Sequence, residues 1–242
     1  MTAPATRSSA SPTPGLSDWL RAALDRPRDR ALVVGVVGLP GCGKSTWARE
    51  FAAQSGVASL VVSLDDFYLE PAQRKARGFS RRGPPGTHDL SRLATFVAQV
   101  RAPNTAPVHI DVPVFDRDAE RRLPARSRHF PVDAPLRLCI VEGWFVGARA
   151  PGYEPLADAL DRLIYLDMDE ADARAARLSR EAERRAAGQP AMSATETERF
   201  WAEALAPGFA TWVYPLRDSS DVVLTLDAQH QTTGLRLRTP TE

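Results

Sequence analysis

The chain has 242 residues, 43% of them apolar, with 31 Lys and Arg against 30 Asp and Glu and a formal net charge of +1. That length suits a single domain with enough apolar material for a buried core. A balance this even excludes broad binding to nucleic acid, which needs a marked basic excess, and no apolar run approaches the length of a membrane span. Two cysteines, Cys42 and Cys139, are too few for a disulfide framework and fit a reducing, cytoplasmic setting. The first residues lack a charged-then-apolar signal pattern, so an unexported protein is expected.

Residues 1–14 are small, polar and proline-rich, and they cannot bury enough surface to offset the entropy of ordering; a disordered tail is expected there, with a single domain over 15–242. Ser17 is a plausible N-cap for a short helix carrying Trp19, Leu20, Ala23 and Leu24 on one stripe. Ala31 to Val37 is a continuous, β-branched apolar run, as in a strand buried on both faces of a parallel sheet.

Directly after it, Gly38 to Thr46 reads G-L-P-G-C-G-K-S-T and fits G-x-x-x-x-G-K-[ST]. A polyphosphate needs a place where many N–H donors converge, and glycines let the backbone wrap closely enough to supply them. Gly38, Pro40, Gly41, Cys42, Gly43, Lys44, Ser45 and Thr46 are therefore candidate nucleotide contacts. Lys44 reaches the outer phosphates and Ser45 can ligate Mg²⁺. Only Lys44 and Lys75 are lysines, every other strongly basic side chain being arginine, which makes a lysine at this position informative.

A helix to about Ala53 should follow, then a second buried strand from Ser59 to Leu64 that delivers Asp65-Asp66-Phe67-Tyr68 at its carboxyl end. That end is where open α/β sheets bind ligands. Asp65 could orient Mg²⁺ and accept the proton of an attacking hydroxyl, whereas Asp66 fits a turn as well as a substrate contact. Residues 71–88 read as an irregular, arginine-rich loop, and His88 in it either touches substrate or is exposed. Asp89 can cap a helix whose stripe is Leu90, Leu93, Phe96 and Val97, and Pro107 to Phe115 alternates like a hairpin arm.

Leu136 to Val141 and Leu163 to Leu166 are further apolar strands, followed by Glu142 and Asp167, which compete for the magnesium-water position. Glu142 is favoured, because Gly143 leaves room beside a phosphate while Asp167 is placed to cap the next helix. That helix, from Glu170 to about Ala187, carries Arg174, Arg177, Arg180, Arg184 and Arg185. It is expected to form a lid over about 170–190, with Arg177 and Arg180 on ATP; a salt-bridged solvent face is the alternative. A helix around residues 196–206, extending over Phe209 to Leu216, and a last strand from Val222 to Leu226 complete the pattern. Strands alternating with helices predict a three-layer α/β/α P-loop NTPase fold with a mainly parallel sheet. A GTPase is disfavoured, since Asn104 is the only asparagine and no lysine follows it. His109, His129 and His230 show no metal-ligand spacing with either cysteine.

S-L-D-D-F-Y-L at Ser63 to Leu69, R-G-P-P-G-T-H-D at Arg82 to Asp89, P-V-F-D-R at Pro113 to Arg117 and V-E-G-W-F at Val141 to Phe145 together resemble the D-glycerate 3-kinase family. That family belongs with uridine kinase, phosphoribulokinase and bacterial pantothenate kinase among P-loop kinases of small hydroxyl compounds. The resemblance covers roughly residues 31–226. It implies ATP and Mg²⁺ as requirements, Asp65 as the catalytic aspartate beside Lys44, and glycerate as the acceptor. Ser45, Asp65 and Glu142 are the candidate metal ligands, and Asp66, Tyr68, Arg82, His88 and Arg117 the candidate substrate residues. Arg117-Asp118 stands where the family usually continues with Lys-Ser. A uridine- or pantothenate-type kinase and a non-catalytic ATP-binding regulator are the alternatives. The expected partner is a small molecule, with neither nucleic acid nor membrane.

Overall fold

A computed structural model describes residues 15–238, so the tail expected over 1–14 lies outside the described residues. In chain order the elements are α1 (Leu16–Leu24), β1 (Leu32–Gly38), α2 (Lys44–Gln54), β2 (Ser59–Ser63), a 3-10 turn (Leu64–Phe67), α3 (Pro71–Ala76), α4 (Leu90–Val100), β3 (Val108–Asp116) and β4 (Arg121–Phe130). They continue with β5 (Leu138–Glu142), α5 (Glu154–Ala159), β6 (Arg162–Met168), α6 (Glu170–Ala186), α7 (Ala194–Phe200), a π-helical turn (Trp201–Leu205), α8 (Ala206–Trp212), α9 (Tyr214–Ser219), β7 (Val222–Leu226) and β8 (Thr232–Leu237).

The sheet order is β2-β5-β1-β6-β7-β8, parallel through β7, and helices complete a three-layer α/β fold. Every residue of β1 and of β5 is buried, which matches their unbroken apolar sequences. β2 is buried only at alternate residues, contrary to the expected two-sided burial, because it is an edge strand with β5 as its sheet neighbour. β8 was not expected; it adds antiparallel to β7 after a turn at 227–231, and its Thr, Gly and Arg content hides the strand pattern. Among the described residues no helix is long and apolar enough to cross a membrane.

Local chemistry explains most element boundaries. Gly15, at φ 87°, precedes α1 in place of the expected Ser17 cap, and this start lets Leu16 join Leu20, Ala23 and Leu24 on the buried stripe. Asp89 caps α4 as expected, its carboxylate accepting the Arg92 N–H at 3.2 Å. Asp169, two residues past the expected Asp167, caps α6 by accepting the Ala171 N–H at 2.8 Å. Asp167 is still inside β6, and Arg217 of α9 holds it at 2.8 Å. The stretch 71–88 is not wholly irregular, since Pro71 starts the short α3.

At the amino ends of the strands, Asp161 ties three segments together. It accepts both guanidinium nitrogens of Arg30 at 2.8 Å and the Val33 N–H at 2.8 Å, with Arg28 at 3.5 Å. Burial works against its charge, but the Arg30 hydrogen bonds and the Val33 N–H prevail and hold the carboxyl below its usual range. A depressed folded pKa contributes stability above the unfolded value near 3.8, and that stability is lost as pH falls through the folded value. Asp161→Asn is expected to cost about 2 kcal/mol in urea unfolding at pH 7, with the deficit shrinking below pH 4.

Candidate active site

Because β2, β5 and β1 are consecutive in the sheet, their carboxyl ends present three chemistries side by side. Ser63, Glu142 and Val36 are in register across the three strands. Neighbouring strands lie about 4.8 Å apart, so the loop after β1 and the turn after β2 flank Glu142 within about 10 Å. Gly143 permits that closeness in a way the sequence did not reveal. The space of its missing Cβ is taken by Leu64, at 2.9 Å from an ideal Cβ, and so by the turn that carries Asp65.

The loop from Gly38 to Gly43 enters α2 at Lys44, with Gly38, Gly41 and Gly43 all at positive φ. Lys44 is buried and donates to the Gly38 and Leu39 carbonyls at 2.8 and 2.9 Å. A Cβ on Gly41 would collide with the Ala173 carbonyl of α6, so the helix expected as a lid lies directly against the loop. From the other side, His230 donates its Nε2–H to the Gly41 carbonyl at 2.9 Å. Ser45 Oγ donates to Glu142 Oε1 at 2.7 Å. This pair offers hard oxygen ligands of the kind Mg²⁺ takes together with phosphates and water.

A cavity of about 1040 Å³ opens over these groups. The structure brings Pro40, Gly41, Gly43, Lys44, Ser45, Thr46, Asp65, Tyr68, Arg82, Arg117, Glu142, Arg177 and Arg180 onto its wall. Gly38, Cys42, Asp66 and His88 stand behind it. Cys42 is buried, and burial pushes its thiol up. Asp66 accepts the Phe115 N–H at 3.3 Å and thereby ties the turn to β3; burial raises its carboxyl. His88 is fully buried, stacked on Tyr68 at 4.4 Å. Tyr153 Oη accepts the Gly86 N–H at 3.0 Å and shares a hydrogen bond with His88 Nδ1 at 2.8 Å. Burial pushes His88 down to about 4, so its ring is neutral at pH 7.

Asp65 has a partner at each oxygen. Tyr68 Oη donates to Oδ1 at 3.0 Å, and Arg117 Nη1 lies 3.3 Å from Oδ2. Burial acts to raise this carboxyl, but Arg117, with help from the Tyr68 hydrogen bond and Lys44, holds it below its usual range. Burial and the Asp65 charge push the Tyr68 hydroxyl well up.

The arginines of α6 differ in their partners, although Arg184 lines the cavity as Arg177 and Arg180 do. Arg174 pairs with Glu198, Arg184 with Asp118 at 2.6 Å, and Arg185 donates to the Met192 carbonyl at 2.6 Å, which ties the helix to its surroundings. Arg177 and Arg180 face the cavity; Arg177 sits 5.1 Å above the Phe200 ring, and burial together with Arg180 lowers it to about 10. Sequence reasoning missed Glu120, which holds Arg82 at 2.5 Å and the buried Arg74 at 3.0 Å. It also assigned no role to Trp144, which donates to the Gly83 carbonyl at 3.1 Å and lines the cavity. A hairpin arm was expected at Pro107 to Phe115, and β3 does pair antiparallel with β4, which was not expected; nothing in the sequence of the turn between them signals partners that lie 38 to 46 residues away.

The family model described as AAA domain matches residues 33–205, spanning β1 to the π-helical turn. The chain belongs to the AAA domain family. The resemblance to P-loop kinases of small molecules read from the sequence is borne out, since the similar proteins are such kinases. The chain is 29% identical over 231 residues to pantothenate kinase of Sorangium cellulosum, covering 86% of this chain and 73% of the relative. It is 25% identical over 141 residues to uridine kinase of Halobacterium salinarum, covering 57% of each. The structure of D-glycerate 3-kinase from Cryptococcus neoformans var. grubii superposes with a TM-score of 0.69 at 18% identity, covering 92% of this chain and 96% of that one.

The Glu120 ion pairs are testable apart from activity. Breaking a buried pair leaves an uncompensated charge, and Glu120 is itself partly exposed, so Glu120→Ala is expected to cost about 2 kcal/mol in urea unfolding. Asp118→Ala, which breaks the more exposed pair with Arg184, is expected to cost less than about 1 kcal/mol in the same assay.

Proposed function

We propose that this AAA domain protein is an ATP-dependent phosphotransferase that moves the γ-phosphoryl group to a hydroxyl of a small metabolite, with D-glycerate as the acceptor. The observation that carries the reading is Arg117 at 3.3 Å from Asp65, on the wall of the cavity that also holds Lys44 and Ser45. A cation this near the candidate base calls for an acceptor whose anion lies close to its reacting hydroxyl, as in a short hydroxy acid.

In this reading the loop N–H groups and Lys44 bind the phosphates, and Lys44 exchanges the Gly38 and Leu39 carbonyls for phosphate oxygens. Arg177 and Arg180, on the lid helix α6, add positive charge over the transferred group. Ser45, Glu142 and Asp65 would hold Mg²⁺, which when bound neutralises charge on the β- and γ-phosphates. Asp65 orients the acceptor hydroxyl and takes its proton, and Tyr68 fixes the carboxylate's direction through its hydroxyl. His88 braces the Tyr68 ring from behind, Asp66 positions the hairpin, and Arg82 with Arg117 supplies the anion contact. Cys42 and Cys139, both buried and free, fit the cytoplasm.

A second reading, a pantothenate-type acceptor, is favoured by the Sorangium cellulosum relative and by the apolar wall of Trp144, Phe200 and Leu205. ADP release with ATP and Mg²⁺ against glycerate, pantothenate, uridine and simple sugars separates the two. Glycerate is expected to be turned over fastest; rapid phosphorylation of pantothenate or uridine with glycerate inert rejects the acceptor and leaves the kinase reading standing.

Loss of the base should leave binding intact. Asp65→Asn is expected to lower turnover by about 10²- to 10⁴-fold with ATP affinity preserved, and Lys44→Ala to lower it by about 10²-fold or more. Turnover near wild type in either variant removes that residue from the mechanism.

A further inference from the structure

We propose that Arg117 is a specificity gate: it occupies Asp65 until the anionic group of the acceptor draws it away, so the base is free only when an anionic acceptor is in place. The inference rests on the kinase reading and deepens it, because it restricts the acceptors to anionic hydroxy compounds.

Of the two groups on Asp65, one is fixed and one is free to move. Tyr68 is only 4% exposed, stacked on His88 and edge-on to Phe115 at 5.8 Å, so its hydroxyl stays on Oδ1. The Arg117 side chain is 44% exposed, and among the described residues Asp65 is its one ion-pair partner. The turn around it is held from both sides, by Asp118 on Arg184 and by Glu120 on Arg74 and Arg82. Arg117 therefore changes partner without moving the hairpin.

Arg81 and Arg180 also line the cavity without an ion-pair partner among the described residues, whereas three other cations on its wall already have contacts. Arg82 is paired with Glu120, Arg184 with Asp118, and Arg177 is packed on Phe200. When an acceptor carboxylate takes Arg117, one ion pair is exchanged for another, and Oδ2 of Asp65 becomes available. The acceptor oxygen then bonds to the γ-phosphorus as the bridging bond to the β-phosphate breaks, the hydroxyl proton passes to Asp65, and ADP leaves. Glycerol or water has no charge to offer Arg117, so Asp65 stays occupied and the phosphoryl group is kept from solvent.

The test measures ADP release from ATP and Mg²⁺ with D-glycerate, with glycerol and with no acceptor, in wild type, Arg117→Ala and Arg117→Gln. Removing the gate is expected to raise the glycerol and acceptor-free rates about three- to tenfold while the KM for glycerate rises about tenfold. Adding Asp65→Asn to Arg117→Ala is expected to abolish both gains. An increase in glycerate KM alone, with glycerol and water rates unchanged, makes Arg117 an ordinary anion contact and overturns the gate. A fall of all rates in both single variants overturns it too. If wild type phosphorylates no acceptor, the acceptor reading fails, and the acceptor-free rate still decides the gate.

Discussion

The hydrogen-bonded ladder from β2 through β5 to β1 is the constraint on which the site depends. Parallel pairing fixes Ser63, Glu142 and Val36 in one row, and each strand then releases its chain toward the same edge. A phosphate loop, a candidate metal-binding carboxylate and a candidate base thus reach one cavity although Lys44, Asp65 and Glu142 are far apart in sequence. Small residues set how tightly this assembly closes. Gly143 admits Leu64, and Gly41 admits the carbonyl of Ala173, so both the turn that bears Asp65 and the helix that bears Arg177 approach to backbone distance.

Charge in the cavity is arranged as exchangeable pairs more than as free groups. Lys44 rests on two carbonyls, Ser45 on Glu142, Arg117 on Asp65 and Arg82 on Glu120. Each of these groups has a partner before a ligand arrives, which avoids the penalty of buried unpaired charge, whereas the buried Nε of Arg177 has no partner among the described residues. Ligands then compete with contacts of similar kind, so specificity depends on which partner a newcomer replaces.

Much of this was legible in the sequence where the signal is local. The apolar runs of β1, β5 and β6, the glycine-rich loop, the Asp89 cap and the hairpin arm each carry their own signature within about ten residues. Edge position, by contrast, is a property of the sheet, and the β2 sequence reads as apolar whether or not a second neighbour covers it. The caps at Gly15 and Asp169 were displaced by two residues because burial of Leu16 and continued pairing of β6 decided where those elements begin and end. At the site, Lys44, Ser45, Asp65 and Glu142 were visible as motif members at strand ends. Glu120 and His230 were not, since their partners are distant in sequence; Trp144 stood in a motif but its contact with Gly83 did not show, and His88 looked like a loop residue although packing encloses it.

The contact between His230 and Gly41 joins positions 189 residues apart. His230 sits at φ 64° in the turn between β7 and β8, and its ring fills the space that a side chain on Gly43 would need. The phosphate loop is synthesised well before the segment that braces it. During vectorial folding, amino-terminal parts acquire structure first, yet here the loop waits for the turn after β7 before its backbone is held on both sides. A nascent chain can therefore possess the complete nucleotide motif and still lack a phosphate cradle braced on both sides until the turn after β7 is in place.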